Sequence, residues 1–109
     1  DVQFIEKIHQ VIEENLDNSD FNIDTIASTI GLSRSAFFKK LKSLTGFAPV
    51  DLVKEIRLNK SIELIKNSDM SISEIAFAVG FKDSGYFSKC FRKKYDQTPR
   101  EYMNEWRKG

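Results

Sequence analysis

Apolar residues along this chain recur three or four positions apart, which is the spacing of a helix. The first stretch has apolar residues at positions 4, 5, 8, 11, 12 and 16 and predicts an amphipathic helix over about residues 2–16. No strand pattern competes with this spacing, because strict alternation of apolar and polar residues is not sustained. The chain is therefore predicted to be all-α.

Six further helices follow from residues that favour helix ends. Five stretches of helical spacing are preceded by a residue whose side chain can cap a helix: Asn22, Ser33, Ser71, Asp83 and Thr98. Two of these residues have a glutamate three positions later, which is the spacing of a capping box. Pro49 suits the first position of the long helix that it would open. The expected helices cover about residues 22–31, 34–45, 49–67, 71–80, 84–94 and 99–107.

One helical pattern occurs twice. Matching positions lie 49 residues apart before a turn and 50 after it, as in the pairs Ile26 and Ile75, Gly31 and Gly80, Phe37 and Phe87, and Pro49 and Pro99. Each copy is a short helix, a glycine-containing turn and a longer helix, which is the signature of a helix-turn-helix. We expect residues 1–109 to form one domain of seven helices. It would contain a first helix-turn-helix (about 22–46), a connector helix (about 49–67), a second helix-turn-helix (about 71–95) and a final helix (about 99–107).

The second helix of each pair, called the recognition helix below, has an apolar face and a polar face when its residues are placed about 100° apart. The apolar positions are Phe37, Leu41 and Leu44 in the first copy and Phe87, Cys90 and Phe91 in the second. The opposite positions are Ser35, Lys39 and Lys42 in the first copy and Gly85, Lys89 and Arg92 in the second. Each outward triad has two cations and one small residue, which suits a major groove about 12 Å wide.

Charge is distributed unevenly, although the net charge is only +1. Residues 1–33 carry seven acids and one base, and residues 34–109 carry sixteen bases and nine acids. Clustered bases are expected on a surface that meets phosphates, and ordinary solvated surface charge is the alternative.

A connector helix of about 18 residues would span about 27 Å, near the separation of about 34 Å between successive major grooves.

The motif of the second half resembles the AraC/XylS family of bacterial transcription regulators. Its residues are IAFAVGFKDSGYFSKCFRK from Ile75 to Lys93, followed by TPREY from Thr98. Further matches are Ile26-Ala27, Gly31-Leu32-Ser33, Thr45-Gly46 and Arg57-Leu58. The resemblance covers about residues 5–106. It implies a seven-helix domain whose third and sixth helices enter adjacent major grooves, usually as the DNA-binding part of a larger regulator.

The resemblance also implies which positions face bases: Ser35, Phe38, Lys39, Ser84, Gly85 and Lys89. The chain departs from the family pattern at three positions, which are Ala48 before Pro49, Ser61 in the connector, and Gly85. Because Gly85 has no side chain to reach a base, we expect the second helix-turn-helix to contribute more to affinity than to sequence discrimination.

Individual roles follow from these positions. Lys39 and Lys89 are expected to donate to guanine, with a phosphate contact or a solvated lysine as the alternative. The residues assigned to phosphate are Arg34, Lys42, Ser88 and Arg92. Both Arg34 and Ser84, at helix amino ends, suit either the DNA backbone or a base. Phe38 suits a thymine methyl group, and its alternative role is to cover the domain's own surface.

Other singled-out residues have structural interpretations. Cys90 is expected in the core. As the single cysteine of the chain it excludes an internal disulfide, and this fits a reducing compartment. His9 has no second ligand nearby in sequence and is expected to be structural or solvated. Tyr102 and Trp106 are expected to pack the last helix against the second helix-turn-helix. Arg57 would either reach phosphate or connect the two helix-turn-helix units through an acid.

The function expected is sequence-specific binding of a double-stranded DNA operator by a cytoplasmic transcription regulator. RNA polymerase and an upstream sensor or receiver domain of the same chain are the other expected partners. The chain opens without methionine, and we expect it to be part of a longer protein. No run of apolar residues approaches the length of a membrane span, so no membrane contact is expected from this segment.

Two other classes of function compete with DNA binding. A protein-interaction module would use the acidic first helix and Phe38, and its binding would lack the steep salt dependence of about −0.9 per phosphate neutralised. An enzyme is not expected, since one histidine, one cysteine and the absence of a phosphate-binding glycine loop leave no chemical step to assign. No cofactor or metal is expected either.

Overall fold

The computed structural model describes residues 2–107, and these residues form seven α-helices with no strand among them. In chain order the helices are α1 (Val2–Glu14), α2 (Ile23–Ile30), α3 (Arg34–Thr45), α4 (Pro49–Asn67), α5 (Ile72–Ala78), α6 (Ser84–Tyr95) and α7 (Pro99–Trp106). The all-α fold and the two helix-turn-helix units joined by a long helix are confirmed.

Local side-chain caps begin most of these helices. A side-chain oxygen accepts a first-turn backbone N–H at each of the five predicted caps: Asn22, Ser33, Ser71, Asp83 and Thr98. α1 ends slightly before the predicted residue 16. The N–H groups of Asn15 and Leu16 bond three residues back, to Ile12 and Glu13, so the last turn tightens and leaves the α-helix.

The chain divides into two compact units. The first comprises residues 2–16 and 20–56, and contains α1, α2, α3 and the start of α4. Its core is apolar and includes Ile8, Ile12, Ile26, Phe37 and Leu41. The ring of Phe4 on α1 meets that of Phe37 edge to face, with 6.3 Å between centroids, so α1 packs on the inner face of the first recognition helix.

The second unit comprises residues 17–19 and 57–107, and a run of aromatic rings extends from its core to the surface at Trp106. Phe87 contacts Phe81 and Phe91, with centroids 5.2 Å and 5.8 Å apart. Phe91 in turn meets Tyr102 at 5.8 Å, and Tyr102 stacks on Trp106 at 6.2 Å. Tyr102 thus packs the last helix against the second recognition helix, as expected. The same expectation was wrong for Trp106, which is 53% exposed and has the Lys66 ammonium of α4 at 4.2 Å from its ring centroid.

The connector α4 supplies core residues to both units. Leu52, Val53 and Ile56 are buried in its first half, and Leu58, Ser61 and Ile65 in its second. The Ser61 hydroxyl donates to the Leu58 carbonyl at 2.6 Å, which satisfies a polar group inside the core.

Leu44, which angular position places on the apolar face of α3, is 46% exposed. It lies in the last turn of α3, where Val2, Ile5 and Glu6 of α1 line a surface depression with it. Within residues 2–107, no helix is both long enough and apolar enough to cross a membrane.

Candidate nucleic-acid interface

The turn of the first helix-turn-helix is closed by backbone hydrogen bonds. Gly31 adopts φ 86°, and its N–H donates to the Ser28 carbonyl at 3.1 Å. The N–H of Leu32 donates to the Ala27 carbonyl at 2.9 Å. Glycine suits this left-handed conformation because it has no Cβ to clash. The turn therefore ends α2 and lets the Ser33 side chain cap the recognition helix α3.

The same hydrogen bonds recur in the second helix-turn-helix, 49 residues on. Gly80 has φ 97°, and its N–H donates to the Phe77 carbonyl at 3.0 Å. The N–H of Phe81 donates to the Ala76 carbonyl at 2.9 Å. Asp83 then caps the recognition helix α6 by accepting from the Gly85 N–H at 2.8 Å. The repeat read from the sequence is thus a repeat of backbone structure as well.

The inner faces of the recognition helices are fully buried at matching positions. Phe37 and Leu41 on α3 correspond to Phe87 and Phe91 on α6, and all four have no exposed surface. Cys90 is buried beside them, as expected. Each recognition helix is therefore fixed in rotation about its axis by two large side chains, which determines the positions that remain outside.

All the predicted DNA-facing positions lie at least partly on the surface. Those that are exposed are Arg34, Ser35, Phe38, Lys39 and Lys42 on α3, and Gly85, Lys89 and Arg92 on α6. Those that are half-buried are Ser84 and Ser88. Phe38 is 48% exposed, so a large part of its ring is open to solvent beside Lys39.

Neighbouring lysines on α3 have different surroundings. The ammonium of Lys40 lies 4.3 Å from the ring centroid of Phe4, a cation–π contact that directs it toward α1. Lys39 is exposed on the other side of the helix. On α6, the Lys94 ammonium donates to the Asn59 side chain at 2.8 Å, while Lys89 is exposed. The outward triads predicted from the spacing include Lys39 and Lys89 and leave out Lys40 and Lys94, which contact the protein.

Arg34 has an ion-pair partner that the sequence analysis missed. Its Nη1 atom lies 3.4 Å from Oδ2 of Asp24, in the first turn of α2. Both side chains remain well exposed, at 71% and 63%. The pair joins the first helix of the motif to the amino end of the recognition helix.

Arg57 binds two backbone carbonyls, and not the acid that one of its two expected roles required. It donates from Nη1 to the Gly80 carbonyl at 3.0 Å and from Nη2 to the Asn18 carbonyl at 3.4 Å. Both partners belong to the second unit, so these bonds stabilise its turn and its short segment of residues 17–19. Burial lowers the pKa of the Arg57 guanidinium. The carbonyls offered no sequence signal, since any residue could have supplied them.

Arg107 is a second anchor that the sequence did not reveal. It donates from Nε to the Ile65 carbonyl at 3.0 Å and from Nη1 to the Met70 carbonyl at 2.8 Å. Carbonyls at a helix end lack partners within the helix, and a guanidinium is well suited to bind several of them. Arg107 thereby joins the end of α7 to the end of α4.

Two glutamates complete the capping boxes of the second unit. The Glu74 carboxylate accepts the backbone N–H of Ser71 at 2.9 Å, and that of Glu101 accepts the N–H of Thr98 at 2.8 Å. These hydrogen bonds lower the pKa of both carboxyl groups, because they stabilise the ionised form. Among the residues described, no group of three or more His, Cys, Asp and Glu side chains could hold a metal ion.

Comparison with known proteins gives a family for this arrangement. The helix-turn-helix domain family of the AraC type matches residues 26–105. The chain is 38% identical over 106 residues to histidine kinase P4 of Formosa agariphila. That match covers 97% of this chain but only 8% of the kinase, so the chain spans a small part of this curated relative.

Solved structures of similar fold come from response regulators and transcription regulators. One is the C-terminal domain of the two-component response regulator YesN from Fusobacterium nucleatum, with 31% identity and a TM-score of 0.82 over 90% of this chain and 95% of that one. Another is the DNA-binding domain of the global transcriptional factor AdpA in complex with a target DNA, with 28% identity and a TM-score of 0.87 over 96% and 93%. The chain therefore belongs to the AraC-type helix-turn-helix family and is a sequence-specific DNA-binding domain of the kind that transcription regulators carry.

Proposed function

We propose that this chain binds a double-stranded operator by placing α3 and α6 in adjacent major grooves. The observation that carries the proposal is the repeated construction of the two helix-turn-helix units, each with a buried apolar face and an outward cationic face on its recognition helix. A helix of this kind presents its outer side chains to base edges while the preceding helix braces it. AdpA, a similar protein, was solved on its target DNA, which supports the same use of the fold here.

The base-facing residues proposed are those that the family pattern and the outward faces share: Ser35, Phe38, Lys39, Ser84, Gly85 and Lys89. Lys39 and Lys89 would donate to guanine O6 and N7, and Phe38 would contact a thymine methyl group. Phosphate contacts are assigned to Arg34, Lys42, Ser88 and Arg92, which would fix the register of each helix on the duplex.

The parent protein is proposed to be a bacterial transcription regulator working in the cytoplasm. Its DNA-binding part would be joined to an upstream sensor or receiver domain of the same chain, and it would act on RNA polymerase. Two similarities support a role as one domain of a signalling protein. The chain matches a small share of a histidine kinase, and it is similar to the C-terminal domain of a response regulator. We propose no catalytic activity for this domain and no membrane contact.

Selection from a pool of randomised duplexes tests the proposal. The 109-residue chain should enrich one sequence with two recognition sites about one helical turn apart, since successive major grooves on one side are about 34 Å apart. Affinity for the enriched duplex should fall steeply with salt, with a slope near −0.9 for each phosphate neutralised.

Three outcomes would contradict the proposal. Failure to enrich any sequence would contradict sequence-specific binding. Enrichment of a single short site, with no second site one helical turn away, would contradict the binding of α3 and α6 in adjacent major grooves. Capture of protein partners with little salt dependence, in place of DNA, would favour the protein-interaction alternative.

A further inference from the structure

The ion pair between Asp24 and Arg34 occurs at only one of the two helix-turn-helix units. The repeat places Ser73 where Asp24 stands, at an offset of 49, and Ser84 where Arg34 stands, at an offset of 50. Two hydroxyl side chains replace an acid and a base. The two recognition helices thus share their backbone and their buried faces, but differ at their amino ends, which are the part of a recognition helix nearest the bases.

An acid close to a DNA-binding surface needs a physical reason, because phosphates repel it. The Asp24 carboxylate lies 3.4 Å from Nη1 of Arg34, which is the first residue of α3. A guanidinium has five N–H donors in a planar fork, so a carboxylate that holds one nitrogen leaves the others able to donate to DNA. The acid also restricts the rotamers of a flexible side chain before DNA arrives.

We infer that Asp24 is a positioning residue that holds Arg34 for base recognition in the first helix-turn-helix. The inference rests on the proposed DNA-binding function and refines it, because Arg34 then contacts a base edge and not only phosphate. Guanine is the base expected, since its O6 and N7 acceptors match two donors of a guanidinium. The second helix-turn-helix has serines at both positions, so it cannot form this ion pair.

Removing the acid distinguishes positioning from simple surface charge, because the two roles predict different results. If Asp24 were only a surface acid, Asp24→Asn would strengthen binding to every duplex by the same factor. If it positions Arg34, the variant should lose discrimination at the base pair that Arg34 contacts, by about two- to fivefold, which is the range for an exposed ion pair. The released Arg34 would also pair with phosphate and steepen the salt slope by up to about 0.9.

The experiment uses the duplex that the wild-type chain selects from a randomised pool, a set of its single base-pair variants, and an unrelated duplex. Binding of each is measured for the wild type, Asp24→Asn, Arg34→Ala and the double variant over a range of salt. We expect Asp24→Asn to reduce discrimination at one or two neighbouring base pairs, and to have no such effect once Arg34 is alanine. Asp24→Glu, which keeps the charge, should restore most of the discrimination.

Glu63→Gln is the matched control, since it also removes one exposed acid and one surface ion pair, the 3.7 Å contact with Lys60. It should leave discrimination unchanged. The inference is overturned if Asp24→Asn strengthens all duplexes equally, or if its effect persists in the Arg34→Ala background. A wild-type chain that selects no duplex would instead overturn the proposed function, and the inference with it.

Discussion

The start of the connector helix α4 offers a sharp test of how well local rules describe this fold. Ala48 occupies the capping position, because its carbonyl accepts from the N–H groups of Asp51 at 3.1 Å and Leu52 at 3.0 Å. An alanine there leaves the first-turn N–H of Asp51 without a side-chain cap from Ala48. The equivalent residue of the repeat is Thr98, whose hydroxyl accepts the Glu101 N–H at 3.1 Å.

Replacing Ala48 with threonine should therefore stabilise the chain. A threonine hydroxyl at this position can accept the Asp51 N–H as Thr98 accepts that of Glu101, and a cap of this kind contributes about 1 kcal/mol. For a chain of this size the midpoint of thermal unfolding should rise by about 4 °C. The reciprocal change, Thr98→Ala, removes an existing cap and should lower the midpoint by a similar amount.

Thermal and urea unfolding, followed by circular dichroism, measure both variants against the wild type. Ala48→Ser is a useful companion, because serine also caps but lacks the β-branch of threonine. An unchanged midpoint for Ala48→Thr, together with a normal loss for Thr98→Ala, would refute the assignment of residue 48 as the cap. The two results together thus test the equivalence of the repeat at this position.

Three further predictions concern binding, packing and pH. Lys39→Ala should reduce discrimination at one base pair by about 1–3 kcal/mol, whereas Lys89→Ala should chiefly lower affinity for all duplexes. Binding of single base-pair variants of the selected duplex measures both effects. An equal or greater loss of selectivity from Lys89→Ala would contradict the prediction. Arg57→Lys should destabilise the chain by about 1–3 kcal/mol, because a single ammonium cannot serve both backbone carbonyls; a urea midpoint equal to that of the wild type would contradict it. The pKa of the Glu74 and Glu101 carboxyl groups is lowered in the folded chain. Their contribution to the free energy of unfolding is therefore present above their unfolded pKa and is lost as the pH falls below about 4.5. The double variant with glutamine at both positions should therefore lose less stability between pH 5 and pH 3 than the wild type, and an unchanged pH dependence would count against the capping boxes.

The secondary structure could be predicted from the sequence because its signals are local. Each cap acts within three residues of its helix start, as Ser33 does on Ala36 and Thr98 on Glu101. Gly31 ends α2 through its own left-handed conformation. Helical spacing of apolar residues likewise depends only on neighbours within a few positions. The duplication then revealed the two helix-turn-helix units, since equal spacing of equal residues produces equal backbone structure.

Outward positions on the recognition helices were also available from the sequence, because the buried phenylalanines determine the rotation of each helix. The same rule does not explain Leu44, which lies on the apolar face of α3 beside residues of α1 and yet is 46% exposed. Angular position describes one helix alone, whereas burial requires a second element to reach that place. How far one helix covers another is a property of packing, and no local pattern in the sequence determines it.

Tertiary structure alone decided the pairings between distant residues. Asp24 meets Arg34 across ten positions, Arg57 meets Gly80 across 23, and Arg107 meets Ile65 across 42. Two of these arginines bind backbone carbonyls, which every residue possesses, so sequence identity could not point to the partner. The sequence by itself determined the helices, their repeat and their outward faces, because those depend on neighbours along the chain. The partners that anchor Arg57 and Arg107 depend on elements that only folding brings together.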